Sequence, residues 1–310
     1  MCRLKPRALP WATFMRAVGA LEIMPGATSY NTSSGSLNGP RLSPLLRTSA
    51  SHPMPDLLPT LFLSHGAPDV LLRDIPARKF LSGLAATLPR PRAIVVASAH
   101  WEEDTVTVET GRTPSTIHDF GGFPAELYRQ RYAAPGDNIL AARIGAMLTD
   151  AGLKPRTRER GFDHGVWTPL LLAWPAADIP VVPVSLVRDG DAALHHRLGL
   201  ALASLRSQGV LVIGSGSAVH NLGVLAPNQP PAPWAVAFEA WLVRAVETGD
   251  TPALTTWLQS APEARYAHPT PDHLMPLLVA MGAAGANAKS RVLHRSWDYG
   301  NIAMASFAFG

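Results

Sequence analysis

The spacing of apolar and polar positions changes character along this chain. From Leu57 onward, short continuous apolar runs alternate with stretches whose apolar residues recur at helical spacing. The runs predict strands at 60–64, 92–99, 179–186 and 210–214. The helical patterns fall near 77–88, 138–151, 191–207, 234–248 and 251–260, and a further helix is expected to open after Pro271. Strands in regular alternation with helices predict an α/β fold: one domain with a mostly parallel central sheet flanked by helices. Such sheets bind ligands in the crevice outside the carboxyl ends of their strands. Three of the apolar runs deliver a histidine there: PTLFLSHG ends at His65, RAIVVASAHW reaches His100, and VLVIGSGSAVHN, after a small-residue turn, reaches His220. Histidines gathered at one point are how a metal site is built.

Residues 1–55 break this pattern. YNTSSGSLNGPRLSPLLRTSASHP has no sustained period and is rich in Ser, Gly, Asn and Pro, so 1–55 reads as a disordered extension and 56–310 as the folded, chemistry-bearing domain. The extension is Arg-rich and acid-poor, loosely like a transit peptide, with an upstream start or a flexible tail as the other readings.

Charge follows the same boundary. Of 27 basic and 23 acidic residues, six and one lie in the first 55, leaving 21 against 22 in the domain. The domain therefore has no global basic field for phosphate backbones, and a nucleic-acid partner is not expected. The single cysteine, Cys2, excludes an internal disulfide and a thiolate metal site, and points to a reducing, cytoplasmic setting. No apolar run reaches membrane-spanning length, so no membrane partner is expected. Any metal must be held by nitrogen and oxygen.

The histidines differ in context. His65 sits between Ser64 and Gly66 where a strand must turn, and His100 ends a buried run beside the bulky Trp101; the competing reading of each is a turn or core histidine with no ligand. His220 suits either ligation or acid/base work. His273, in HPTPDHLMPLL, is placed by Pro271 at a helix N-terminus with Asp272 beside it, and an ordinary surface position rivals that reading. His118 and His164 sit in Gly-flanked turns that suit substrate contact. His195, His196 and His294 read as surface residues, and His268 as surface or rim. The long aromatic segment 111–137 is expected to wall a pocket.

Through PTLFLSHGAP, IVVASAHW, TIHDFGGFP, GFDHGVWTPLL, SGSAVHNL and PTPDHLMPLL, residues 55–310 resemble the LigB-type (class III) extradiol ring-cleavage dioxygenases, most closely their 4,5-DOPA dioxygenase branch. The resemblance implies one divalent metal, Fe(II) for the reaction with Zn(II) also able to occupy the site, held by His65, His100 and His273. It makes His220 the acid/base, within reach of the metal in zinc-containing members, and sets His164 against substrate or oxygen. Protocatechuate-type relatives use a Glu where His273 stands. A neutral ligand there leaves the site more positive, and Asp272 is the alternative carboxylate. The implied reaction opens a catechol-type ring with O2 to a muconic semialdehyde, with His118, Trp101 and Phe123 binding substrate and Phe120 and Trp167 as further ring contacts. Two rival readings are a zinc hydrolase, for which no HExxH is present, and a non-enzymatic Memo-like binding protein.

Overall fold

A computed structural model describes residues 57–286 and 288–310. The extension 1–55 lies outside the described residues.

Strand β1 (Thr60–Ser64) leads through α1 (Pro76–Gly83) to β2 (Ala93–Glu103), which is followed by the short β3 (Thr107–Glu109) and the long segment 111–137. Helix α2 (Asn138–Asp150), β4 (Arg156–Arg158), α3 (His164–Ala173), β5 (Val181–Val187), α4 (Ala192–Leu202) and β6 (Val210–Gly216) complete the first two thirds. Then come α5 (Pro233–Glu247), the short α6 (Thr251–Thr255), α7 (Trp257–Ser260) and α8 (Ala264–Ala267), and α9 (Met275–Ala284). The chain ends in β7 (Ser290–His294), the β8–β9 hairpin (Trp297–Asp298 with Ile302–Ala303) and β10 (Ser306–Phe309).

The eight-stranded sheet runs β4-β3-β5-β2-β6-β1-β10-β7. Its centre, β5-β2-β6-β1, is parallel, as the continuous apolar runs require when both faces are covered. One face packs on α2, α4, α5 and α9, and the other on α1, α3 and the aromatic segment that carries Phe120, Phe123, Leu127 and Tyr132. The edges differ from expectation: β7 and β10 pair antiparallel beyond β1, and β3 pairs antiparallel with β5. Among the described residues, no helix is long and apolar enough to cross a membrane.

β1, β6 and β2 are adjacent, so their carboxyl ends open side by side. Two close approaches bring the rest of the site there. A Cβ on Gly216 would stand 2.2 Å from the His273 carbonyl oxygen, so only glycine lets the segment before α9 rest on the end of β6. The GSG expected as a turn is strand to its last residue. A Cβ on Gly165 would lie 2.4 Å from Ser98 Oγ, so glycine likewise lets the start of α3 settle on β2.

Candidate metal centre

Five histidines from five places in the sequence meet at the sheet's end. The ring centroid of His65 lies 5.0 Å from that of His100, 5.4 Å from His164 and 5.5 Å from His273. His220 stacks on His273 with centroids 3.4 Å apart and planes 9° from parallel. The five rings line one cavity with Gly66, Ala67, Ser217, Tyr299 and Ile302. Ligand atoms of His65, His100 and His273 all lie within 4.8 Å of one another.

What each ring offers follows from what holds its other nitrogen. The Ser215 hydroxyl has one proton, and it donates that to the Gly165 carbonyl at 2.5 Å. It can then only accept from His65 Nδ1, 3.0 Å away, so the His65 proton is on Nδ1 and the Nε2 lone pair is free. Helix α3 supplies the carbonyl: Pro169, four residues past Gly165, has no N–H to offer it. His273 Nδ1 donates to the Asp272 carboxylate, and its Nε2 is buried with no hydrogen-bond partner among the described residues. His100 Nδ1 faces Asp119 Oδ2 at 3.6 Å. Its Nε2 sits 3.0 Å from His65 Nε2.

His65 and His273 therefore aim Nε2 lone pairs at a common volume while Ser215 and Asp272 hold their Nδ1 atoms, and His100 brings its Nε2 to the same place with Nδ1 turned to Asp119. That is the second-shell arrangement of metal-binding histidines. Burial, then the neighbouring His100, lowers the His65 pKa well below the ordinary value; burial, then His164, does the same for His100. Neutral imidazole is the ligating form. Without a cation, converging lone pairs in a site shielded from water repel, so the residues present fit a divalent ion. Burial would raise the Asp272 carboxyl, but the His273 ring beside it holds it far below the usual carboxylate range.

Asp119 is the second bridge. Its Oδ1 accepts from both the backbone N–H and the Nδ1 of His164, each at 3.0 Å, while Oδ2 faces His100. Burial would raise its carboxyl, yet His164 and His100 hold it well below its ordinary range. With Nδ1 committed to Asp119, Nε2 is the nitrogen His164 can turn to a ligand. Burial and the stacked His273 push the His220 pKa well down, so His220 is neutral and able to accept a proton.

His100 lies in a β2 irregularity, where register with β5 shifts between Ala97 and Glu102. The fully buried Asp163 anchors this bend. It accepts from Ser98 Oγ at 2.6 Å and Arg160 Nη1 at 2.7 Å, caps α3 at Val166 N, and leaves Arg160 Nη2 to donate to the His100 carbonyl at 3.0 Å.

Several expectations need correction. His164 is the first residue of α3, not a turn residue, and His273 precedes its helix by two positions. His195 is a core residue, buried, with Nε2 accepting from Val187 N and Nδ1 donating to Asp191 O. His268 is buried against Phe238 and Trp257, its pKa pushed down by burial to about 4. Trp101, His118 and Phe123, expected to bind substrate, are not among the residues that line the cavity of the five histidines. Trp101 is buried under the Arg160 guanidinium and donates to Glu103, so it packs the bend. His118, Phe120, Phe123 and Trp167 form an aromatic layer in which Phe120 backs His164, with ring centroids 5.7 Å apart. Segment 111–137 supplies Asp119 and that backing. Sequence reasoning chose His118 in TIHDFGGF and passed over its neighbour; an acid amid aromatics was the available signal.

The family model described as "Catalytic LigB subunit of aromatic ring-opening dioxygenase" matches residues 62–310, and the chain belongs to that family. It is an enzyme, an extradiol aromatic ring-opening dioxygenase acting on a small aromatic substrate. It is 44% identical over 256 residues to a 4,5-DOPA dioxygenase extradiol of Beta vulgaris, covering 81% of this chain and 96% of that one. With the 4,5-DOPA dioxygenase extradiol of Escherichia coli K12 it shares 38% over 259 residues, covering 82% and 95%. The crystal structure of an uncharacterized protein from Escherichia coli K12 superposes with a TM-score of 0.69 at 33% identity, covering 82% of this chain and all of that one. The hydrolase and binding-protein readings are not favoured.

Proposed function

We propose that residues 56–310 form an Fe(II)-dependent dioxygenase that opens a 4,5-DOPA-like catechol beside its hydroxyl pair, adding both atoms of O2 to give a muconic semialdehyde. His65, His100 and His273 would hold the metal through Nε2. The observation that carries this is the set of three Nε2 atoms whose outer nitrogens face Ser215, Asp119 and Asp272. Zinc, which also accepts imidazole nitrogen, is the competing occupant.

When bound, the metal would draw the two diol oxygens and O2 together and carry electron density from ring to oxygen. The chain's own residues do the rest. His220, kept neutral by burial, takes the proton that a catechol hydroxyl gives up and returns it once the ring is open. Its stack on His273 holds it beside a ring that would ligate the metal, and it would serve as a further ligand were zinc bound. His164, oriented by Asp119, sets Nε2 towards charge that develops on oxygen. The aromatic layer behind it excludes water.

The test is anaerobic reconstitution with Fe(II), addition of L-DOPA or catechol, and admission of air. A yellow semialdehyde with oxygen consumed in equal amount is the expected result. No colour and no oxygen uptake from protein shown to hold iron would dispose of the reading.

A further inference from the structure

Tyr299 is the one large side chain in the cavity wall that takes no part in the chemistry above, and its backbone is unusual. It opens the three-residue turn of the β8–β9 hairpin at φ +46, followed by Gly300 at +77. A bulky residue in the left-handed region is an outlier, tolerated where the side chain is needed and the surroundings enforce it. The surroundings here do. Its N–H donates to Asp298 Oδ1 at 2.9 Å, and its carbonyl accepts from Ala226 N at 2.9 Å and Asn301 N at 3.0 Å.

The ring is fixed as firmly as the backbone. Its hydroxyl donates to the buried Asp69 carboxylate, four residues beyond His65, and burial beside that acid keeps the phenol protonated. The Arg73 guanidinium lies over one face, 4.3 Å from the centroid, and is itself held by Asp298 and Asp69. Tyr299 lines the cavity together with Ile302 and Ala67.

Its place in the wall sets this ring against a particular part of the substrate. The cavity is lined by the five histidines and by Tyr299 together, so the tyrosine shares a wall with the imidazoles that would grip a diol. A diol gripped at the buried His65 and His273 leaves its ring and substituent to meet the other lining residues, of which half-buried Tyr299 is the largest. We infer that Tyr299, braced by Asp69 and Arg73, is a specificity-determining residue that packs against the outlying ring edge and substituent of the catechol. This inference rests on the catechol reading of the site.

The experiment compares L-DOPA with unsubstituted catechol in the iron-loaded wild type, Tyr299→Phe and Tyr299→Ala. It measures kcat and KM in air and equilibrium binding under argon. Tyr299→Ala is expected to lower the L-DOPA:catechol ratio of kcat/KM by about tenfold, chiefly through KM, with the binding ratio falling alongside. Tyr299→Phe, which keeps the ring and loses the bond to Asp69, is expected to fall between. Ratios equal to wild type in both variants would overturn the inference while leaving ring opening intact. A wild type that binds both diols but opens neither would sink the catalytic reading, and the binding ratio would still decide the role of Tyr299.

Discussion

The carboxyl ends of β1, β2 and β6 and the β8–β9 turn face the same cavity, yet they are held in different ways. At the strand ends, each ring is fixed by a partner to one of its nitrogens: Ser215 for His65, Asp119 for His100 and His164, Asp272 for His273. The backbone beneath is parallel sheet, interrupted at His100 by the β2 irregularity. In the turn, the backbone of Tyr299 is strained and the side chain is clamped by ions. The first arrangement sets proton positions and lone pairs; the second sets shape. One fold can thus keep its chemistry while the wall that meets the substrate's outer end changes.

That division can be broken by substitution. Changes at the strand ends should act on kcat or metal content, and changes in the turn on KM and substrate preference. The largest effect is expected from His220→Gln, which removes the proton acceptor. kcat should fall by about 10²–10⁴-fold while iron content stays near wild type. An equal loss of iron would make His220 a necessary ligand instead. Next is Asp119→Asn, which replaces the carboxylate that accepts from His164 Nδ1. kcat should fall by about 10–100-fold with the L-DOPA:catechol preference retained. A shift in that preference would place Asp119 on the selecting side of the division. Smaller again is Ser215→Ala. His65 Nδ1 loses its acceptor, and iron affinity, read by competition with a chelator, should weaken by about tenfold. Unchanged affinity would mean that the tautomer of His65 does not need setting.

Much of this was legible in the residues. The parallel centre of the sheet was visible because β1, β2, β5 and β6 are buried on both faces and read as unbroken apolar runs. His65 and His100 were visible because each ends such a run. The edges were not. β4 is three exposed residues, Arg156–Arg158, and the closing strands are interrupted by Arg291, Arg295 and Asp298, so no alternation survives. Helix α3 was hidden by Gly165 and Pro169, residues that look like breakers. They are present because one permits close packing on β2 and the other leaves a carbonyl for Ser215. Asp119, Ser215 and Tyr299 touch the site only through contacts between residues far apart in the chain, which periodicity and motif spacing do not report.

The account depends on His65, His100 and His273 sharing one ion, although His100, Asp119 and His164 form a second group with converging donors and His220, Asp272 and His273 a third. Crystals of the protein loaded anaerobically with Fe(II), or with Zn(II) as a stable substitute, distinguish the three by anomalous scattering. The prediction is a single peak, about 2.0–2.2 Å from Nε2 of His65, His100 and His273. A peak held instead by Asp119 and His164, or by His220 and Asp272, with His65 out of bonding range, would contradict it.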